Sequence, residues 1–250
     1  MRRIWTPWPV FALVMGLVDP AWAFDPTEAV QRMEEARRLY ESHRPDEASR
    51  LYEQLIAAGY DDPVIWFNLG NARFQSGKLG RAVVAFRRAW RLAPRDPDIR
   101  HNLRAAIEHG SAVSPSRRWY ERGWETVSAE EASRWGWTAW WIGWAAVAVA
   151  LGWSSHPVRK VAWRVVLAAG LVAVWCAAAV AHWRALDAEC VVVQPDQAAR
   201  FVPLPGARVF FTLPEGSIVE VMETRGEWVR IRADTREGWI RSDAIERVTG

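Results

Sequence analysis

Two long apolar runs separated by a short basic turn constrain the fold of this chain more than any other feature. Between Trp135 and Trp183 the charged residues are Arg159, Lys160 and Arg164. A helix rises about 1.5 Å per residue, so runs of this length reach across the ~30 Å hydrocarbon core of a bilayer. A buried helix pair in a soluble core is the alternative, but such helices usually carry a polar stripe, and neither run has one. We therefore predict a membrane hairpin with spans at residues 135–153 and 161–183, joined by a turn at 154–160.

The charges around the hairpin predict its orientation. The turn carries its cations without an acid, whereas the preceding flank, residues 117–134, has four arginines and four glutamates. Basic segments tend to stay in the cytoplasm, and tryptophan rings, which crowd both ends of the hairpin, prefer the membrane–water interface. We expect the turn to be cytoplasmic and both soluble parts of the chain to lie on the opposite side.

Residues 1–23 have the features of a secretory signal peptide. Arg2 and Arg3 precede an apolar run at 10–18, and the small-residue site Ala-Trp-Ala at 21–23 predicts cleavage before Phe24. If the segment is not cleaved, it forms a third span, and its basic end still leaves the following residues outside the cytoplasm. The predicted topology is the same in both cases.

A repeat of 34 residues occupies the segment between the signal and the hairpin. Asp-Pro pairs, which start helices as the N-cap and the first helical residue, stand at 25–26, 62–63 and 96–97. The copy at 63–96 has small and aromatic residues at the spacings of the tetratricopeptide repeat: Trp66, Leu69, Gly70, Gly77, Ala82, Phe86, Ala89 and Pro94. The segment resembles that family. We predict repeats at 29–62 and 63–96 with a capping helix at 97–109, within a region spanning residues 24–110.

This resemblance implies a concave surface, built from the first helix of each repeat, that binds extended peptides or partner helices. Five residues are expected on that surface: Phe67, Asn68, Asn71, Phe74 and Asn102. The asparagines either pair with a ligand backbone or serve packing within the repeats, and the sequence leaves both roles open. Members of the family that clamp two carboxylates need several cations in the groove. Arg37 alone qualifies here, so that ligand class is not carried over.

Residues 111–134 connect the repeats to the hairpin. Trp119, Tyr120 and Trp124 recur near helical spacing among charged residues, which is typical of a short helix lying in the membrane interface; a plain linker is the alternative. Ser128 and Glu131 form the Ser-x-x-Glu pattern of a capping box. That pattern predicts the start of the first spanning helix.

Beyond the hairpin, residues 186–250 change from helical to alternating periodicity. Six short Val- and Ile-rich runs alternate with turn signals, and short strands at this density predict a small barrel. The order of Leu-Pro-Glu-Gly at 213–216, Gly-Glu-Trp-Val-Arg-Ile at 226–231 and Gly-Trp-Ile at 238–240 is similar to bacterial SH3-like domains. Trp228 and Trp239 either form a ligand-facing aromatic patch or belong to the core, and we favour the core.

No sequence pattern indicates catalysis, metal binding or nucleic-acid binding. The five histidines lie apart without a metal-binding spacing, and neither a glycine-rich phosphate loop nor a nucleophilic serine turn is present. A net charge of +3 gives no strong basic field. We expect a protein that is not an enzyme and uses no metal or cofactor.

The order of the segments supports one further resemblance. A signal segment, an all-α tetratricopeptide solenoid, a transmembrane helical hairpin and a small all-β SH3-like barrel together resemble the BatE family of the bacterial aerotolerance (Bat) group. The resemblance implies a scaffold in the bacterial inner membrane, with both soluble domains periplasmic. Its implied partners are von Willebrand A-type membrane proteins, and its implied role is in oxidative or envelope stress tolerance. A module whose barrel binds peptidoglycan peptides is the alternative.

Overall fold

The computed structural model describes residues 26–110, 112–113, 127–152 and 155–248. The expected signal segment, residues 1–23, lies outside the described residues, and so does most of the expected interfacial helix. The described α-helices are α1 Pro26–Glu41, α2 Pro45–Ala57, α3 Pro63–Gln75, α4 Leu79–Leu92, α5 Pro97–His109, α6 Ala129–Gly152 and α7 His156–Ala185.

Aspartate caps start two of the repeat helices, as the Asp-Pro pairs predict. The Asp62 carboxylate accepts a hydrogen bond from the backbone N–H of Val64 at 2.7 Å. The Asp96 carboxylate accepts from the N–H groups of Asp98 and Ile99 at 2.9 and 3.2 Å. Each cap satisfies helix-end donors that would otherwise lack a partner, and this fixes where α3 and α5 begin.

Close contact between α3 and α4 forms the centre of the helical region. A Cβ atom at Gly70 would lie 2.6 Å from the ring of Phe86, so only glycine allows this approach. Trp66, Leu69 and Phe86 are buried around the contact.

Arg73 stands where the tetratricopeptide family usually has an aromatic residue. Its buried guanidinium instead donates to the Arg81 carbonyl and the Glu53 carboxylate, both at 3.1 Å.

Helices α6 and α7 pack against each other along most of their length. The capping box forms as expected: the Ser128 N–H donates to Glu131 at 3.0 Å, and the Glu131 N–H donates to the Ser128 hydroxyl at 3.1 Å. It starts α6 six residues before the predicted span at 135. Buried and half-buried positions recur at three- and four-residue steps along the helix pair and are mostly small: Ala132, Gly136, Ala139, Gly143, Ala146 and Ala150 on α6, and Ala162, Val166, Ala169, Ala173, Cys176, Ala179 and Trp183 on α7. This spacing is the seam of two helices crossing at a small angle.

One helical segment of the described chain, Pro157–Ala188, is long and apolar enough to span a membrane, with a mean hydropathy of 2.2 and 11% of its most apolar window buried. It contains the expected second span. Helix α6 does not meet this criterion. Its five tryptophans at 135, 137, 140, 141 and 144 lower its hydropathy, because the indole ring carries a polar N–H. The first span therefore stays a prediction.

The C-terminal residues form an antiparallel domain, which we call the β-domain (residues 186–248). Its strands are β1 Glu189–Val192, β2 Gln197–Arg200, β3 Val209–Leu213, β4 Ile218–Arg225, β5 Trp228–Ala233, β6 Arg236–Arg241 and β7 Ile245–Arg247. The strand order is β3-β2-β6-β5-β4-β1-β7. Among the described residues no pairing joins the outer strands β3 and β7, so the sheet is open and the expected barrel is not confirmed.

The interior of the β-domain follows the predicted alternation. Val219, Val229, Ile231 and Ile240 are buried, and Val221 is half-buried against them. Strand β2 was not predicted, because Gln-Ala-Ala-Arg lacks the β-branched and aromatic residues that mark strands. Its position is set by its neighbours, since β2 pairs with β3 on one side and with β6 on the other.

The β-domain packs directly on helix α4. The Arg87 guanidinium and the Glu189 carboxylate form an ion pair at 2.7 Å, with 6% and 3% of the two side chains exposed. Gly80 lies so close to β1 that an added Cβ would be 2.4 Å from the Val192 carbonyl oxygen. The N–H of Gly80 also donates to the Glu215 carboxylate at 2.7 Å. The helical region and the β-domain therefore share one interface.

The end of the hairpin joins the same interface. The ring of Trp183 lies 5.1 Å from that of Trp90 on α4, and its indole N–H donates to the Val127 carbonyl at 2.8 Å. One apolar cluster accordingly runs from the repeats through Trp183 to Val191 and Ile218 of the β-domain. The sequence predicted separate modules, but the structure joins repeats, hairpin end and β-domain through α4.

The buried ion pair yields a stability prediction. Arg87→Met should lower the free energy of unfolding of the full chain by about 3–5 kcal/mol, because Glu189 is left buried without its counter-charge. Adding Glu189→Leu should recover most of that loss, since the pair is then replaced by apolar side chains of similar size. Denaturant unfolding followed by circular dichroism measures both variants. If the single and the double variant lose the same free energy of unfolding, the two charges are not coupled.

Candidate partner-binding surfaces

The inner helices of the repeats enclose a groove, which we call the amide groove. It has a volume of about 340 Å³ and is lined by Tyr40, Asn71, Phe74, Gln75, Phe86, Asn102 and Ala105. These residues come from four helices, α1, α3, α4 and α5. The 34-residue period brings Tyr40 and Phe74 to equivalent positions of successive repeats, so the groove is a product of the repeat itself.

Two asparagines form the polar part of the amide groove. The Asn102 side-chain N–H donates to the Asn71 side-chain oxygen at 2.8 Å. Each amide group has a donor and an acceptor end, and among the described residues no other bond is seen at the Asn71 nitrogen or the Asn102 oxygen. The pair can thus offer one donor and one acceptor to a peptide backbone, while the aromatic rings are available to apolar side chains.

Arg37, the cation expected for the groove, is paired with two acidic neighbours. Arg37 on α1 pairs with Glu34 at 2.7 Å and with Glu41 at 2.5 Å. The hydrogen bond from Arg37 lowers the pKa of Glu34, and Glu34 in turn raises the pKa of Arg37. The one cation considered for carboxylate binding is therefore already neutralised. The residues that line the groove are all uncharged, which favours an uncharged ligand.

The structure brings together three of the five residues predicted for the concave surface. Asn71, Phe74 and Asn102 line the amide groove, with the Phe74 ring 5.5 Å from that of His109. Phe67 and Asn68 are half-buried and do not line it; the Phe67 ring packs 5.9 Å from Phe86. Tyr40 was missed as a lining residue, although its 34-residue match to Phe74 is visible in the sequence.

The β-domain has a cleft of about 380 Å³ beside Trp239. Its lining residues are Phe201, Val202, Pro203, Glu223, Arg225, Arg230, Glu237, Gly238 and Trp239. Arg225 lies 5.3 Å above the Trp239 ring and pairs with Glu223 at 2.6 Å. The Arg230 guanidinium pairs with Glu237 at 2.7 Å. Hydrogen bonds from Arg232 and Arg230 hold the pKa of Glu237 below its usual value.

The two tryptophans proposed for an aromatic patch are not equivalent. Trp239 is 7% exposed, consistent with the core role favoured above, although its ring also borders the cleft. Trp228 is half-buried and does not line the cleft. Exposed aromatic surface comes instead from Phe201 and Phe210, whose rings lie 4.5 Å apart. The sequence did not reveal these two residues, because residues 201–210 include a Pro- and Gly-rich turn and do not alternate between apolar and polar side chains.

No group of three or more His, Cys, Asp or Glu side chains that could hold a metal ion occurs within the described ranges. Cys190 is buried, and burial raises the pKa of its thiol to about 11. The thiol therefore stays protonated at neutral pH, and we do not expect it to react with reagents added from outside.

Family models match two parts of the chain. A tetratricopeptide repeat model matches residues 33–97, which cover most of α1 to α4. A bacterial SH3 domain model matches residues 200–246, from the end of β2 into β7. No curated protein matches the sequence. The chain thus has a tetratricopeptide-like helical region followed by an antiparallel β-domain similar to bacterial SH3 domains.

The burial of Trp239 yields a second stability prediction. Trp239→Ala should destabilise the full chain by about 3–5 kcal/mol, because it leaves a large cavity beside Arg225. Trp228→Ala, at a half-buried position of the neighbouring strand, is the matched control. It should reduce the free energy of unfolding by less than Trp239→Ala does. Thermal unfolding followed by circular dichroism tests this order. An unchanged melting temperature for Trp239→Ala would show that the ring contributes little to the core.

Proposed function

We propose that this protein is a membrane-anchored scaffold that binds an uncharged, extended segment of a partner protein in the amide groove. The observation that carries the proposal is the Asn71–Asn102 pair among aromatic rings. An extended peptide exposes backbone donors and acceptors in alternation, which the two amide groups match. The tetratricopeptide match supports a protein ligand.

The distribution of side chains in the hairpin supports the membrane anchor. Its large apolar residues point outward, including Trp141 (67% exposed), Leu151 (77%), Leu167 (69%) and Leu171 (73%), while its seam holds small residues. In water this arrangement would expose several hundred Å² of apolar surface, which soluble proteins rarely do. In a bilayer it is favourable, because small residues let helices approach and large ones contact lipid.

The proposed orientation places both soluble parts in the periplasm. Arg159, Lys160 and Arg164 are exposed near the turn and have no acidic neighbour in the sequence, which favours a cytoplasmic turn. The contacts of α4 with both Trp183 and Glu189 are compatible with this arrangement, because they require the repeats and the β-domain to share one side of the membrane. A cleaved signal segment at 1–23 fits the same topology.

The module order supports a place in a BatE-type assembly of the aerotolerance group. Repeats, hairpin and β-domain follow one another as in that family, and von Willebrand A-type membrane proteins are its implied partners. In this proposal the amide groove binds the partner and the α4 interface holds the groove at a fixed position above the membrane.

Binding of cell-wall peptides is the second candidate function. It is favoured by the match to bacterial SH3 domains, together with the cleft at Trp239, whose paired charges could contact both the carboxylates and the amines of such peptides. Co-sedimentation of the detergent-solubilised full chain with purified sacculi tests this function. Retention that is lost in Arg225→Ala would favour wall binding, whereas no retention would leave the scaffold function.

The groove prediction uses paired variants of the full chain. Asn71→Ala with Asn102→Ala should weaken capture of membrane partners at least tenfold while changing the melting temperature little, because both side chains are half-buried in an open groove. Asn68→Ala, outside the groove lining, is the matched control and should capture partners normally. Capture is measured by crosslinking in membranes, with partners identified by mass spectrometry. Unchanged capture by the double variant would exclude the amide groove as the binding site.

The topology prediction uses two introduced cysteines. Thr235→Cys, in an exposed turn of the β-domain, should react with a membrane-impermeant maleimide in intact spheroplasts. Pro157→Cys, at an exposed position in the turn of the hairpin, should react only after the membrane is opened. Both buried native cysteines serve as the background in the parent chain. Labelling of Pro157→Cys from outside would contradict the proposed orientation.

A further inference from the structure

Helix α4 runs toward the hairpin, and its contacts show this direction step by step. Arg87 pairs with Glu189 at the start of β1. Arg91, one turn later, pairs with Asp187 and donates to the backbone carbonyl of Trp183 at 3.5 Å. The partners thus move back along the chain, from β1 to the last turn of α7. The C-terminal end of α4 is therefore the end closest to the hairpin.

The turn between α4 and α5 contacts the other helix of the hairpin. Arg95 pairs with Glu131, in the first turn of α6, at 3.2 Å. Of the described hairpin residues, Trp183 alone belongs to the apolar cluster of the repeats, so the helix pair leads away from the repeats beyond this junction. Tryptophan rings prefer the membrane–water interface. In the proposed topology, this junction lies at the outer interface of the bilayer.

Contacts between turns show which ends of the other repeat helices lie at the same level. The α1–α2 and α3–α4 turns meet at one end of the stack, where Lys78 pairs with Asp46 at 2.6 Å. Toward the opposite end, the Trp66 ring near the start of α3 lies 4.5 Å from the Arg88 guanidinium on α4. Helices α1, α3 and α5 therefore start, and α2 and α4 end, on the side of the hairpin. We call this the hairpin-side end of the repeats.

The exposed large apolar side chains of the repeats are confined to the hairpin-side end. In the described part of the repeats they are Val30 (60% exposed), Val64 (51%) and Leu92 (39%). Val30 and Val64 stand 34 residues apart, at equivalent positions near the starts of α1 and α3. Gly70 contacts Phe86 across the α3–α4 pair. Val64 comes six residues before the glycine and Leu92 six after the phenylalanine, so antiparallel packing puts these two side chains at one level.

Most charges at the hairpin-side end already have partners within the protein. The Asp62 and Asp96 carboxylates cap helices, and Asp61 accepts from the Trp66 indole at 2.6 Å. The two arginines of this end are paired, as described above. A bilayer contact here would thus depend on the apolar side chains and not on attraction to anionic lipid.

We propose that the hairpin-side end of the repeats rests on the outer surface of the bilayer, with Val64 and Leu92 in the interfacial region. This contact rests on the membrane hairpin proposed above. Lipid is the occupant because the contacts of Arg91 and Arg95 with the hairpin hold this end where the spans leave the bilayer. No second copy or further partner is needed to cover it.

The same contact gives the amide groove a defined height. Asn71 and Phe74 stand seven and ten residues after Val64, which corresponds to about 10–15 Å along α3. An extended chain covers that distance in about three to five residues. A membrane partner can therefore reach the groove with the segment that directly follows its span.

Nitroxide spin labels on introduced cysteines test the contact with the full chain, at one copy per phosphatidylcholine nanodisc. Collision with oxygen, which concentrates in lipid, is compared with collision with a water-soluble nickel chelate. The oxygen-to-nickel ratio at Leu92→Cys and Val64→Cys should exceed that at Arg81→Cys and Gln75→Cys at least threefold. These controls are exposed positions toward the opposite ends of the same two helices. Leu167→Cys, exposed in the hairpin, gives the value for a lipid-facing label.

The outcomes separate this contact from the membrane hairpin. If Leu167→Cys is as accessible to nickel as Arg81→Cys, the hairpin does not span the bilayer and both proposals are wrong. If Leu167→Cys lies in lipid but Leu92→Cys and Val64→Cys match their controls, the repeats stand clear of the bilayer and the surface contact alone is wrong. Low collision of both labels with both reagents would show that protein covers this end, which also contradicts the contact with lipid.

Discussion

The buried ion pair between Arg87 and Glu189 is the interaction on which the arrangement of this molecule depends. Two charges are removed from water at the junction of the repeats and the β-domain, and the desolvation is offset only if both charges stay in place. An apolar contact could tolerate sliding, but a two-pronged charge pair specifies one relative position. Arg87 also stacks 4.3 Å from Trp90, which in turn contacts Trp183, so the same residue helps position the hairpin end.

Helix α4 therefore has two roles at once. Phe86 faces the amide groove and Arg87, the next residue, faces the β-domain. A ligand in the amide groove would lie over the buried Phe86, on the helix whose other side is fixed to β1 and to the end of α7. In the proposed scaffold, these contacts hold the groove in a fixed orientation relative to the hairpin.

Local sequence signals predicted much of the fold. The Asp62 and Asp96 caps and the Ser128–Glu131 capping box each act within four residues, and all three form as expected. The 34-residue period predicted the helical pairs, because each repeat buries its apolar face against the next. Gly70 could be recognised as a close-approach position for the same reason.

Long-range features could not be predicted in this way. Arg87 and Glu189 are 102 residues apart, and in the sequence each is one of many charged residues. Strand β2 has no propensity of its own, and the exposed Phe201 and Phe210 meet only after β2 and β3 pair. Asn71 lines the amide groove from α3, but its bond to Asn102 depends on how α5 packs. Asn68, expected on the same surface, does not line the groove.

Hydrogen exchange on the full chain in lipid nanodiscs tests most directly whether the repeats and the β-domain form one unit. The amides to compare are those of α4 and β1, measured by mass spectrometry at increasing denaturant concentration. If α4 holds the two parts together, their opening free energies should converge on a single unfolding event as denaturant rises. Separate isotherms, with β1 exchanging together with the rest of the β-domain while α4 keeps its full protection, would contradict the account.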